Sequence, residues 1–364
     1  MNPRLFLLIL ALLPVACERQ VAESRNTVPL VREILAERSD PQAKMLRHRS
    51  PTPQADITII GSEFACDRLA ESLVFRDKQD NVDARMAPDG LPDFAGETFA
   101  CVEDAIPYAD ILSQEGEQGL REQAVRRVLA ALDTVVHISP YDLEGLSVKP
   151  RSKMVILADP YLSEYGGFDV DTLLNTMGCS VPVLAPIDRM IDQAFERNDR
   201  WDLSVGIICD ARFDTTGVYE KIFARKAAEH GSKGASLVAI GVERRDSVLY
   251  DFLTRYQAAG YTKPLDAILI DDLSVDADQV KMELAEIVSV MNESSMTLGR
   301  LFARNFFFVD IFDTVSEQCY SFLREKNLFT HNIAKPQVTV YRPVRKPESE
   351  DGSIILIPGS YVQN

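Results

Sequence analysis

From residue 55 to residue 325 the chain repeats one pattern, a short apolar run followed by a longer amphipathic stretch with helical spacing. The runs are 57–61, 134–139, 154–158, 181–185, 205–209, 237–242, 267–270 and 306–312. Between them lie candidate helices at 120–132, 188–197, 217–230, 247–259 and 277–290. Strands apolar on both faces must be covered on both faces, so the alternation predicts parallel sheets flanked by helices. The fold class expected is α/β, with two doubly wound parallel-sheet lobes at 55–185 and 186–325. Two stretches break the pattern. Residues 77–110 are rich in Asp, Pro and Gly and read as a loop-rich insertion. The tail 326–364 holds two apolar runs, 338–341 and 354–357, separated by Asp351-Gly352, and reads as a β-hairpin, expected as an accessory edge on the second lobe.

A chain of 364 residues is long enough for two modest lobes with real cores. Its formal net charge of -16 repels polyanions, so neither nucleic acid nor an anionic headgroup surface is expected as a partner. Past Cys17 the cysteines are Cys66, Cys101, Cys179, Cys209 and Cys319, none at CxxC spacing. If one pair bridges in an oxidising compartment, Cys66 with Cys101 is the pair expected, and an odd thiol remains. The four histidines His48, His137, His230 and His331 are scattered. P-loop, strand-borne GxGxxG, GxSxG and HExxH patterns are absent from the sequence. No cofactor and no metal are expected. Asp80, Asp83, Asp89, Asp93 and Glu97 in the insertion lack EF-hand order, and Asx-turns explain them better than a metal site.

The N-terminus carries an address. Arg4 is followed by an unbroken apolar run over 5–13, about half the ~20 residues a membrane-spanning helix needs. Leu13-Pro14-Val15-Ala16-Cys17 resembles a bacterial lipoprotein lipobox. That resemblance implies a signal peptide at 1–16, acylation of Cys17 and a membrane lipid as partner. It places the folded body outside the cytoplasm in a bacterial cell envelope. The polar, Pro-bearing stretch 17–54 reads as a tether, with room for one short amphipathic helix near 28–38.

In open α/β sheets, ligands bind beyond the carboxyl ends of the strands. Ser62 follows the first run, Asp159 the run at 154–158, Thr215, Thr216 and Gly217 the run at 205–209, and Asp272 the run at 267–270. The hydroxyl pair beside a glycine suits either an anion site or plain helix capping. Two aspartates facing one cleft suit an ammonium group, a hard cation or acid/base work; they also suit simple capping of the next turn. Tyr141 and Asp142 follow another run, where a Pro-initiated turn is the simpler explanation.

The segments 180–186, 205–208, 216–223, 265–272 and 307–313 together resemble the aspartate/glutamate racemase superfamily in order and spacing over about 150–325. The resemblance implies two lobes with a small polar, amino-acid-like ligand between them. That family moves an α-proton with two facing cysteines, whereas the corresponding strand ends here carry Asp159 and Asp272. An ordinary carboxylate, with a pKa near 4, is a poor match to so weak an acid, so cysteine-type racemisation is not expected. The expectation is a lipid-anchored protein that binds its ligand through Asp159 and Asp272 at the cationic end and Thr215, Thr216 and Gly217 at the anionic end, with Ser62 contributing. The alternatives are a carboxylate- or metal-dependent isomerase, lyase or hydrolase, and a type I periplasmic solute-binding lipoprotein.

Overall fold

The computed structural model describes residues 26–81, 85–198, 200–289, 297–330, 332, 334–347, 349 and 352–359. Met1 to Cys17, and with them the signal and the acylation site, lie outside the described residues, as does His331. In chain order the elements begin with α1 (Pro29–Ala36), α2 (Pro41–Leu46), β1 (Asp56–Ser62), α3 (Glu63–Val74), β2 (Thr98–Asp104) and α4 (Tyr108–Leu132). Next come β3 (Val135–Ser139), β4 (Asp142–Val148), β5 (Ser152–Leu157), α5 (Gly167–Met177), which is entered through a π-helical turn, and β6 (Val183–Leu184). The second lobe holds α6 (Pro186–Glu196), β7 (Ser204–Cys209), α7 (Val218–Glu229), β8 (Ser236–Gly241) and α8 (Val248–Ala258). It continues with β9 (Leu265–Ile270), α9 (Ala277–Ser289), β10 (Phe302–Asp310) and the helix Ile311–Glu325, here α10. The tail forms β11 (Gln337–Arg345) and β12 (Ile354–Pro358).

Two sheets organise the molecule. The first runs β12-β11-β2-β1-β5-β6 and the second β10-β9-β7-β8. Every pairing inside them is parallel except β11 with β12, an antiparallel C-terminal pair. Ile57, Ile59, Ile60, Met154, Val155 and Ile156 are fully buried, as are Val205, Ile207, Ala267 and Leu269. This is the burial that runs apolar on both faces require.

The structure revises four details. Residues 26–54 are not a free tether: Val31, Ile34, Ala43 and Leu46 bury themselves in the first lobe, and the Val28 amide donates to Asp169 Oδ1 at 2.9 Å. Within 77–110 lies a central strand, β2, hidden in the sequence because Thr98-Phe99-Ala100-Cys101-Val102 is short and has β-branched residues only at its ends. The run at 134–139 is not a sheet strand but half of a separate hairpin, with Val135 opposite Val148. The tail joins the first lobe, not the second.

β11 pairs along β2 from Gln337–Thr98 to Tyr341–Val102 and so covers an edge that would otherwise expose unpaired backbone. A buried ion pair fixes the join. Lys153, fully buried, pairs with Glu97 and donates to the carbonyls of Pro53 at 2.7 Å and Leu328 at 3.1 Å, while Glu97 Oε1 accepts the Thr330 amide at 2.8 Å. The five cysteines past Cys17 are buried and free, so Cys66 and Cys101 do not form the expected bridge. Each thiol instead donates to backbone, Cys66 to the carbonyls of Ile59 and Val102 and Cys101 to that of Cys66.

Candidate ligand site

Because all strands of the two sheets but β12 run parallel to their neighbours, each sheet gathers those strand ends on one side, and the chain uses these ends for polar residues. A cavity of about 630 Å³ opens there, lined by Ser62, Phe64, Asp104, Tyr108, Asp159 and Tyr161 of the first lobe with Arg212 and Phe213 of the second. Ser62 ends β1 and caps α3, its hydroxyl accepting the Ala65 amide at 3.3 Å.

Asp159 follows β5. Its Oδ1 accepts the Tyr161 amide at 2.9 Å. Burial raises its carboxyl to about 7; the Tyr161 amide and the Arg212 charge pull the other way, and Asp104 adds to the rise. Asp104 ends β2 and is already engaged: Arg127 Nε lies 2.8 Å from both its oxygens, and the Tyr108 hydroxyl donates to it. Burial still leaves the Asp104 carboxyl above its ordinary range despite Arg127.

The second lobe brings its loop 210–217 against this wall. Gly241 permits the approach, since a Cβ there would stand 2.4 Å from the Ala211 Cα. Arg212 donates from Nε and Nη2 to the two oxygens of Asp210, at 3.0 and 2.9 Å, and lies over the Phe213 ring. Phe213 packs against Tyr161 and edge-on to Tyr219. The Tyr219 hydroxyl donates to Asp271 Oδ2 at 2.5 Å. Burial raises the Asp271 carboxyl to about 7, Tyr219 opposes, and the charges of Asp159 and Asp272 add to the rise. Asp159 and Asp271, one from each sheet, therefore sense each other electrostatically.

Neither aspartate after β9 lines the cavity. Asp272 is 2 % exposed and fully occupied, with Arg245 Nη1 2.6 Å from Oδ2 and the Ser274 amide and hydroxyl 2.9 and 2.6 Å from Oδ1. Neither Thr215 nor Thr216 lines the cavity: Thr215 is exposed, and Thr216 Oγ1 donates to the Phe213 carbonyl at 2.9 Å and accepts the Val218 amide at 3.4 Å. Gly217, at φ 70°, supplies the left-handed residue that starts α7. Gly217 is the N-cap residue, no threonine side chain caps the helix, and Thr216 closes the preceding turn. Tyr141 and Asp142 belong to the β3–β4 hairpin turn and stay out of the cavity.

Sequence reasoning missed Asp104, Arg212, Tyr219 and Asp271. Asp271 directly follows the β9 run, and it is bonded to Tyr219 and does not line the cavity. In the insertion, Asp89 accepts the Leu91 amide two residues on as an Asx-turn does, whereas Asp77 and Asp93 accept amides 12 to 15 residues away and so tie the two sides of the loop together. Among the described residues no group of three His, Cys, Asp or Glu side chains is placed to hold a metal ion. Cys209 ends β7 near Asp271, but burial pushes its thiol far up, which suits a core side chain and not a nucleophile.

Fold and cavity together define a two-lobed α/β protein with a carboxyl-rich interlobe cleft. No family model and no curated protein matches the sequence. Among solved structures the chain is similar to glutamate racemases. That of Francisella tularensis, in complex with D-glutamate, is 13% identical over 80% of this chain and 88% of its own, with a TM-score of 0.44. That of Bacillus anthracis is 10% identical over 79% and 88%, with a TM-score of 0.45. That of Thermus thermophilus, in complex with β-chloro-D-alanine, is 13% identical over 82% and 91%, with a TM-score of 0.42. At this degree of likeness the chemistry of the cleft has to be taken from its own residues.

Proposed function

We propose that the chain is a lipid-anchored protein of the bacterial cell envelope that binds a small ligand bearing a positively charged amino group between its two lobes. One observation carries the reading: among the described residues no cation is bonded to Asp159, a partly exposed carboxyl in the wall of the interlobe cavity, which feels the Arg212 charge only at a distance. A charged amino group would supply the missing counter-charge and stabilise the ionised carboxylate. Asp271 adds negative potential from the other lobe. The lipobox-like sequence ending at Cys17 supports the address, with acylated Cys17 in a membrane and the acidic body outside the cytoplasm.

The test is a thermal-shift panel of amines, amino acids, dicarboxylates, nucleotides and divalent cations. A ligand at 100 times its Kd adds about 2.7 kcal/mol, and the shift disappears in Asp159→Asn if the cleft is the site. Labelled palmitate incorporated by the wild type and not by Cys17→Ser tests the anchor.

A second reading, catalysis by the carboxyl pair as acid and base, draws on Asp159 and Asp271 both standing at about 7, where either can give or take a proton near neutrality. Binding and catalysis separate on whether the ligand returns unchanged: incorporation of solvent deuterium into recovered ligand shows turnover. The solute-receptor reading has less support. The chain passes between its sheets only twice, from β6 into α6 and from α10 to β11, whereas such receptors cross through several hinge strands.

A further inference from the structure

We infer that the ligand is an amine with an apolar body and no carboxylate, not an amino acid. The inference rests on the reading that Asp159 receives an amino group, and it concerns the rest of the molecule bound there.

Charge in the cavity is one-sided. Among the described residues Arg212 is the one cation in its wall, and both oxygens of Asp210 accept from it. Asp159, Glu63 and Asp110 stand against it, while Asp104 is satisfied by the buried Arg127. An α-amino acid seated on Asp159 would carry its own carboxylate one carbon away from the ammonium, in a wall that also holds Glu63, Asp104 and Asp110 and whose Arg212 charge is already offset by Asp210. Desolvating an anion without a partner is costly, and like charges at that distance add to the cost. Thr215 and Thr216, the hydroxyls that would have suited an anion, are outside the wall.

The remaining wall is apolar. Phe64 and Ile106, 44 % and 55 % exposed, flank the opening with Pro107, and the rings of Tyr161 and Phe213 stand behind them. Such a surface favours a hydrocarbon or aromatic body, and faces of this kind also attract the cationic head itself.

The experiment is isothermal titration calorimetry on the full chain in detergent at neutral pH, with 2-phenylethylamine, L-phenylalanine and L-glutamate as probes. The first two share an aromatic body and differ by the carboxylate. We expect 2-phenylethylamine to bind about 30-fold more tightly than L-phenylalanine, L-glutamate to give no heat, and Asp159→Asn to abolish amine binding. Ile106→Lys, at an exposed position on the rim, adds a cation without disturbing the core. It should weaken the amine and tighten L-phenylalanine, narrowing their ratio by about tenfold. If L-phenylalanine or L-glutamate binds as tightly as the amine, and Asp159→Asn abolishes it, the inference is overturned while the cleft remains the ligand site. If no probe binds, or binding survives Asp159→Asn in a protein that still melts cooperatively, the cleft reading falls with it.

Discussion

The Tyr219 hydroxyl donates to Asp271 across 2.5 Å and ties the carboxyl at the end of β9 to the helix that follows β7. Its immediate neighbour, Asp272, turns away to Arg245 and Ser274. Two identical adjacent residues thus have different tasks, and different consequences follow from replacing each.

Tyr219→Phe removes the side-chain hydrogen bond that steadies the ionised form of Asp271. The Asp271 carboxyl should then titrate above 7, as followed by carboxyl-carbon NMR. The loss of a buried hydrogen bond to a charged acceptor should cost about 1.5–3 kcal/mol of stability in denaturant unfolding.

Asp272→Asn should leave amine binding unchanged within error. It weakens the contacts to Arg245 and Ser274, and because Arg245 is half-exposed and can return to water, the cost should stay near 1–2 kcal/mol by urea unfolding. A loss of binding in Asp272→Asn equal to that in Asp159→Asn would return Asp272 to the site.

Asp159 and Asp271 also govern pH dependence. Their folded pKa values, about 7, lie above the ordinary aspartate value, so the folded state holds protons that the unfolded chain gives up. Stability is therefore greatest below pH 4, as far as these two groups are concerned, and declines as pH rises toward 7. Asp159→Asn should flatten part of that decline and raise stability at pH 8 by roughly 2 kcal/mol, measured by unfolding at several pH values. The groups acting on Asp159 are Tyr161, Arg212 and Asp104, and Asp159 in turn acts on Asp271, so both Asp104 and Asp271 are neighbouring carboxyls with raised pKa values.

The Lys153–Glu97 pair holds the tail on the first lobe, and both side chains are fully buried. Lys153→Met leaves Glu97 buried without its cation and should cost about 3–5 kcal/mol, with part recovered in the double variant Lys153→Met, Glu97→Gln. A double-mutant cycle in guanidinium checks the coupling.

How much of this was legible beforehand depended on whether backbone pattern or side-chain direction decided the outcome. The parallel lobes followed from runs such as 205–209 and 267–270, whose burial on both faces is written in their composition. β2 did not follow, because its residues Ala100 and Cys101 carry little strand preference and its place between β1 and β11 is set by tertiary pairing. The tail's destination was likewise a long-range matter, decided by the open edge of β2 and the anchor at Glu97. Of the cavity-lining residues, Ser62 and Asp159 stand at strand ends that the pattern marks. The partners of Asp271 and Asp272 were not legible, since they depend on where Tyr219 and Arg245 stand. The threonines looked like anion ligands because capping and anion binding use the same atoms.

The most direct test of the central claim is the titration of the Asp159 carboxyl carbon, with and without 2-phenylethylamine. A midpoint near 7 is expected in the free protein, falling well below that when the amine is bound, because the ammonium stabilises the carboxylate. A midpoint that saturating amine does not move would contradict that claim.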